Sequence, residues 1–253
     1  MRQPKLSIII PAYQEAVRIE KSLDQLAAYL RKQQDSDTEV LVVVADSPDG
    51  TAALARSKAK LFHRFRVVEA GPRKGKGRDV RVGMMEARGH YRLFMDADLA
   101  TPLHHIAEVR KYAAAGVPVI IAVRNLANTH NFGLRKLISS IGNRILRLVL
   151  LPNIRDTQCG FKAFSAEAAS ELFGRQRVLG WGFDMEILAI AKQRGYKIAQ
   201  IPVADWKDQP NGTFEGAVIR AALITLAELV GILWRRWTGG YRRKSFTYRP
   251  YRP

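Results

Sequence analysis

The residues best suited to chemistry stand at Met95-Asp96-Ala97-Asp98-Leu99-Ala100-Thr101-Pro102, where an acidic pair follows a hydrophobic run. Hard divalent cations such as Mg²⁺ or Mn²⁺ take carboxylate oxygens together with the phosphates of a substrate. Asp96 and Asp98 are therefore candidate metal ligands at a diphosphate. Asp-x-Asp also serves as a turn or helix cap, so its context has to decide. That context is Arg73-Lys74-Gly75-Lys76-Gly77-Arg78-Asp79-Val80-Arg81. Its glycines let backbone N–H groups approach an anion, and bases at the start of a helix add positive potential for phosphate. The spacing is neither a Walker loop nor a GxGxxG fingerprint. His104 and His105 lack a third ligand nearby in sequence and read as surface residues. Cys159 has no evident histidine partner and reads as a small buried side chain.

The elements that must position these groups follow from hydrophobic period. Leu6–Ile10 and Val40–Val44 are continuous aliphatic runs, which suits strands buried on both faces. Between them Ile19, Leu23, Leu26, Ala27 and Leu30 recur at helical spacing, giving a βαβ unit. The alternation continues with a helix at 51–62, a strand at 66–69, a helix at 80–87 and a strand at 91–95. A helix at 102–115 and a strand at 117–123 follow. This implies an α/β fold, a mostly parallel sheet with helices on both faces and ligands at the strands' carboxyl ends.

After Arg124 the texture changes. A helix at 132–151 places Arg135, Lys136, Ser139 and Arg144 on one face and Leu137, Ile141, Ile145 and Leu148 on the other. A second amphipathic helix is expected at 217–237. On a helical wheel Arg220, Glu228 and Arg235 cluster, with Leu223, Leu226, Leu229, Val230 and Leu233 opposite, which favours lying in a membrane interface over spanning it. Trp234, Trp237 and the basic run from Tyr241 to Arg252 favour the same surface.

Composition bounds the function. The chain of 253 residues is 47% hydrophobic and 25% charged, ordinary globular usage that excludes a disordered or disulfide-stapled scaffold. Lys plus Arg number 41 against 23 Asp plus Glu, a net charge of +18 that seeks polyanions: nucleic acid, an anionic membrane or phosphorylated substrates. A single cysteine forms no intrachain disulfide, which fits a reducing compartment. Met1–Ile10 is too short an apolar run for a signal-peptide core, so no export signal is expected.

Five ordered segments carry a resemblance. LSIIIPAYQEAVRIEKSL, KGKGRDVRVGM, DADLATP, DTQCGFKAF (Asp156–Phe164) and GWGFDMEIL (Gly180–Leu188), with IPVADW ending at Trp206, resemble the family 2 inverting glycosyltransferases of GT-A fold. Within that family they are most similar to the polyprenyl-phosphate sugar synthases of the dolichyl-phosphate β-glucosyltransferase branch. Two segments depart from the pattern. The paired-Asp turn is Ala45-Asp46-Ser47-Pro48-Asp49-Gly50-Thr51, one residue short, and the usual Gly-Ser-Arg is Ala122-Val123-Arg124.

The resemblance implies transfer of a hexose, glucose from UDP-glucose before mannose from GDP-mannose, to a polyprenyl phosphate with inversion. It implies a donor nucleotide site of Pro11, Tyr13, Glu15, Asp46, Lys76, Gly77, Arg81 and Asp96, and Mg²⁺ or Mn²⁺ on Asp96 and Asp98. Arg124, Arg135 and Ser139 would bind the acceptor phosphate; Arg135 and Ser139, at i and i+4, share a helix face. Asp184 and Glu186 would organise the acceptor pocket, and Asp98, Asp156 and Arg124 would be catalytic, with Asp156 the base where one is needed. A phosphomonoester is mostly dianionic at neutral pH and already nucleophilic, so a base is not obligatory. The expected organisation is a GT-A domain at 1–215, an interface helix at 216–237 and a basic tail at 238–253, peripheral on the cytoplasmic face of a membrane. Two other readings remain. A soluble sugar acceptor would leave the amphipathic helices unexplained, and a basic nucleic-acid-binding protein would lack any recognition motif, so no nucleic-acid partner is expected.

Overall fold

A computed structural model describes residues 2–124, 151–207 and 215–242; side chains of the last helix are described at 224 and from 227 onward. The aliphatic runs form the centre of a seven-stranded sheet of order β3-β2-β1-β4-β6-β5-β7. The strands are β1 (Leu6–Ala12), β2 (Thr38–Ala45), β3 (Phe65–Gly71), β4 (Tyr91–Met95), β5 (Val119–Arg124), β6 (Phe161–Ser165) and β7 (Ile198–Val203). All eight residues of β2 are buried, as a strand covered by helices on both faces requires. β6 runs antiparallel between β4 and β5, and the other pairings are parallel.

The helices α1 (Ala16–Lys32), α2 (Thr51–Ser57), α3 (Lys76–Glu86), α4 (His105–Ala114), α5 (Ala166–Phe173), α6 (Phe183–Gln193) and α7 (Glu215–Trp237) pack around it. Two cores result. Ile9, Val43, Phe94, Phe164 and Phe183 lie in one, and Ile8, Val42, Leu93, Ile120 and Phe161 in the other. Successive residues of one strand thus serve opposite cores, the consequence of a period of two.

The helix boundaries differ most from the sequence expectation. The helix expected at 51–62 stops at Ser57 and gives way to a 3₁₀ turn, Ala59–Leu61, after which Phe62 stacks on Phe65 at 5.1 Å. α3 begins at Lys76 rather than 80, and α4 at His105 rather than 102.

The chain moves from β1 outward to β2 and β3, then returns to place β4 on the other side of β1. That reversal opens a crevice at the carboxyl ends of β1 and β4, the usual ligand position in open α/β sheets. The loops entering it are those after β1, β2, β3 and β4, and they carry Tyr13, Glu15, Asp46, Lys76, Asp96 and Asp98.

α7 corrects the expected helix face. Leu229 and Ile232 are buried in the core and Glu228 turns inward, its carboxylate accepting from the Gly182 N–H at 2.8 Å. The outward stripe is instead Ile224, Val230, Trp234 and Trp237, with the tryptophans 62% and 80% exposed and their rings 5.7 Å apart. Wheel arithmetic had put Glu228 on the wet face. The loop before α6 needs an acceptor for its N–H groups, and that need sets the rotation. Among the described residues no helix is long and apolar enough to cross a membrane. The helix expected at 132–151, with Arg135 and Ser139, lies outside the described residues.

Candidate active site

The loop after β1 is braced from the loop after β2. Ser47 Oγ accepts from the Gln14 N–H at 2.8 Å, Thr51 Oγ1 from Glu15 at 3.0 Å and Asp49 Oδ2 from Ala16 at 3.0 Å. Asp49 also accepts from the Ser47 and Thr51 hydroxyls. Burial works against its charge, but these hydrogen bonds outweigh it and hold the carboxyl well below the usual carboxylate range. Asp49 is thus the borrowed cap of α1, whose own N-cap residue, Glu15, makes no side-chain cap. Asp46, its neighbour in the shortened turn, sits exposed at the end of β2. Pro11 lies at the end of β1 opposite Val43, and the Tyr13 ring carries the Arg73 guanidinium at 3.8 Å.

The acidic pair follows β4 directly. Asp96 contacts Lys76 Nζ at 2.5 Å, and its N–H donates to the Gly160 carbonyl at 3.1 Å. A Cβ at Gly160 would stand 1.9 Å from Asp96 Oδ2, so only glycine leaves that carboxylate its place. Asp98 Oδ1 accepts from the Ala100 N–H at 3.0 Å across a turn in which Leu99 has φ 52°, a left-handed conformation uncommon for leucine. Burial raises the Asp98 carboxyl, and the Asp96 charge adds to it. Glu15 is raised too, by burial and by Asp98 and Asp96, against the opposing Arg18. Three carboxylates therefore crowd one crevice mouth. Such a cluster of hard oxygens is relieved by a divalent cation, which these residues fit.

The glycine segment works differently from its sequence expectation. Gly75 has φ 116°, and a Cβ there would meet the Leu179 carbonyl at 2.5 Å. Gly77, expected at the nucleotide, is buried, and a Cβ there would stand 2.5 Å from Phe183 Cβ. These glycines let α3 lie against the 179–183 loop. Arg81 turns its guanidinium to the Gln176 carbonyl at 3.3 Å. Lys76 is the member of this segment that reaches the cleft. Burial opposes its charge, but Asp96 and Asp184 prevail and raise the ammonium.

On the other side Arg124 ends β5 and grips Asp156 through Nε at 2.6 Å and a terminal nitrogen at 3.1 Å, with its guanidinium 5.1 Å from the Trp206 ring centre. Burial pushes Asp156 upward, yet Arg124 outweighs it and holds the carboxyl low. A carboxylate gripped in this way is a poor base, so the geometry fits the orienting of Arg124 and not the base role.

Asp184 is buried beneath the cleft at 2.5 Å from Lys162 Nζ, which also donates to the Cys159 carbonyl at 2.6 Å. Glu186 does not join it. Fully buried, it accepts from the N–H groups of Arg177 and Val178 and from the Tyr241 hydroxyl at 2.8 Å, locking α6 to the residues after α7. The Cys159 thiol is buried as expected and is pushed up to about 11 by burial.

The result is a cleft of about 330 Å³ lined by Lys76, Asp96 and Asp98 together with Arg124, Gln158 and Trp206. Asp184 and Trp181 also face it. Gln158, Lys162, Trp181 and Trp206 were not singled out as site residues from sequence, although all four lie within the segments that carried the resemblance.

An open α/β sheet with an acidic pair at its switch point and a basic helix start beside it is the GT-A arrangement. The chain belongs to glycosyl transferase family 2, whose profile matches residues 7–173. It is 32% identical over 215 residues to a dolichyl-phosphate beta-glucosyltransferase of Trichomonas vaginalis, a match spanning 80% of this chain and 64% of that one. The Homo sapiens dolichyl-phosphate beta-glucosyltransferase is 32% identical, with 81% and 68% covered. That of Saccharomyces cerevisiae is 30% identical, with 90% and 76% covered. The chain therefore spans about two thirds of the length of several of these relatives. Among solved structures, mannosyl-3-phosphoglycerate synthase from Rubrobacter xylanophilus superposes with a TM-score of 0.69 at 20% identity, covering 97% of this chain and 77% of that one. Glucosyl-3-phosphoglycerate synthase from Mycobacterium tuberculosis, in complex with Mn²⁺, UDP and phosphoglyceric acid, gives 0.64 at 19% identity, covering 91% and 78%. These two share the fold.

Proposed function

We propose that this protein transfers glucose from UDP-glucose to a polyprenyl phosphate, with inversion at the anomeric carbon. The observation that carries the reading is the cleft, which gathers Lys76, Asp96 and Asp98 for a diphosphate and Arg124 for a second phosphate in one lining. The identity to dolichyl-phosphate beta-glucosyltransferases supports the choice of sugar and acceptor.

The donor nucleotide lies along the loops after β1 and β2, past Pro11, Tyr13, Glu15 and Asp46. When bound, a divalent cation on Asp96 and Asp98 neutralises charge on the leaving diphosphate. Lys76, at the start of α3, adds a second positive charge there. Arg124, fixed by Asp156 and backed by Trp206, holds the acceptor phosphate for attack from the opposite side. The dianionic phosphate attacks without losing a proton, which is why a tightly gripped Asp156 suffices. Arg135 and Ser139 complete the acceptor site in this proposal.

The test is to incubate purified protein, Mg²⁺ and polyprenyl phosphate separately with UDP-glucose, UDP-galactose and GDP-mannose and to identify the lipid product. A glucosyl product from UDP-glucose alone is expected; a mannosyl product would replace the donor assignment. Arg124→Ala should lower kcat/KM for the lipid acceptor by about 100-fold while UDP-glucose binding by calorimetry is unchanged, with Arg124→Lys in between. An equal loss of nucleotide binding would refute this division of the cleft.

The lipid is reached from a membrane surface by the outward stripe of α7. Trp234 and Trp237 offer apolar rings, with Arg236 beside them and a chain charge of +18 behind, while Arg235 reaches the buried Glu186 carboxylate at 3.9 Å. Each base near an anionic leaflet contributes about 1 kcal/mol, a share that fades with salt, whereas ring burial does not. Trp234→Glu should reduce partition into anionic vesicles about tenfold or more, from the roughly 1.5–3 kcal/mol of burying a large apolar side chain. Trp234 is exposed, so the fold should be unaffected. Unchanged vesicle binding would remove α7 from the membrane contact.

A further inference from the structure

The structure supplies a third partner for the two histidines that sequence left without one. His105 opens α4 and is buried, contrary to its expected surface position. Its Nδ1 lies 2.7 Å from Glu108 Oε1 and its Nε2 lies 3.0 Å from Asp205 Oδ1, in the loop after β7. The His104 ring packs on it with centroids 4.3 Å apart, and His104 Nε2 is 3.5 Å from Asp205 Oδ2. Ligand atoms of His104, His105 and Asp205 all fall within 4.8 Å of one another.

A neutral imidazole has one N–H and one lone pair. With its N–H at Nδ1 the ring donates to Glu108, as a metal-bound histidine does to a carboxylate behind it, and Nε2 is left as a donor of electrons. That lone pair then faces a carboxylate oxygen. With the ring neutral, two electron-rich atoms stand 3.0 Å apart, and either a metal ion or a second ring proton must join them. Tetrahedral Zn²⁺, with bonds of about 2.0–2.2 Å, sets its ligand atoms about 3.3–3.6 Å apart, near the 3.5 Å from His104 Nε2 to Asp205 Oδ2 and somewhat wider than the 3.0 Å from His105 Nε2 to Asp205 Oδ1. Two imidazoles and a carboxylate are also the donor set that suits Zn²⁺ better than Mg²⁺.

We infer that His104, His105 and Asp205 form a binding site for a divalent transition-metal ion, best matched by Zn²⁺, oriented by Glu108 and separate from the Asp96–Asp98 pair. Its place explains what it would do. It joins the start of α4 to the loop after β7, where the Lys207 N–H donates to the Ala100 carbonyl at 2.9 Å and where Trp206 walls the cleft beside Arg124. The ion is a clasp on the acceptor wall. No substrate meets it.

The test uses the full chain, free of any histidine tag and stripped of metal, titrated with Zn²⁺ in competition with a chromogenic chelator and with Co²⁺ by visible absorption. One tight equivalent of Zn²⁺ is expected, unchanged in Asp98→Asn. Loss of a ligand in His104→Ala or Asp205→Asn should weaken it at least tenfold and abolish the Co²⁺ bands; Glu108→Gln should weaken it by about tenfold. His104 and Asp205 are exposed, so these variants should fold, and circular dichroism checks that they do. Three results would overturn the site: no Zn²⁺ uptake by the folded wild-type chain, equal affinity in the His104 and Asp205 variants, or loss of the tight equivalent in Asp98→Asn. The first would mean that a proton bridges His105 and Asp205.

Discussion

Asp98→Asn should lower glucosyl transfer by about a hundredfold or more, with UDP-glucose turnover failing even at saturating lipid. The substitution keeps the shape and the Ala100 hydrogen bond but removes one of the charges that Glu15, Asp96 and Asp98 gather at the crevice mouth. Stability should move the other way. Burial raises the Asp98 carboxyl in the folded chain, so its protonated form is the one the fold favours. The stability gained by protonation is present below the unfolded value, about 3.9, and is lost as pH rises through the folded value. At neutral pH in EDTA the asparagine variant should therefore melt no lower than wild type, and the difference should vanish on acidification. Transfer at the wild-type rate would end the assignment of Asp98. A variant that melts well below wild type would show that the carboxylate supports the fold.

How far the sequence could lead is visible in particular residues. The runs that became β1, β2 and β5 were legible because strands covered on both faces need near-continuous aliphatic sequence. β6 was not, because five residues, FKAFS, carry a buried lysine and give no period to read. Lys162 looks like an error in a strand until its partner, Asp184, arrives twenty-two positions later. The rotation of α7 was illegible for a related reason: helical period fixes which residues share a face, but not which face meets the core. Glu228 settles that through a loop N–H far away in sequence. His105 lacked its Asp205 until folding closed a gap of one hundred residues.

One miss was avoidable. Asp184 and Glu186 stand two positions apart on α6, about 200° around the helix, and so point to opposite sides. Asp184 reaches the cleft and Glu186 the Tyr241 hydroxyl. Spacing alone forbade one pocket for both.

The Lys162–Asp184 pair carries the other large effect. Lys162 is 1% exposed and Asp184 4%, so each charge has left water and depends on its partner. Burial pushes the Asp184 carboxyl up, against the pull of Lys162 and Lys76. Lys162→Met should then cost about 3–5 kcal/mol, because it strands a carboxylate in the core, and at this chain length that lowers Tm by about 10 °C. Lys162→Met combined with Asp184→Leu removes both charges and should recover most of that loss, since buried ion pairs are often replaced by apolar side chains at little cost. Transfer should not recover with it. Asp184 forms part of the cleft surface, and an apolar side chain there loses the charge that helps hold Lys76 in place. Thermal melts and lipid-transfer rates of the two single variants and the double variant separate the roles. A double variant that regains both stability and transfer would reduce the pair to a piece of the core, whereas single variants with unchanged Tm would show that water still reaches it.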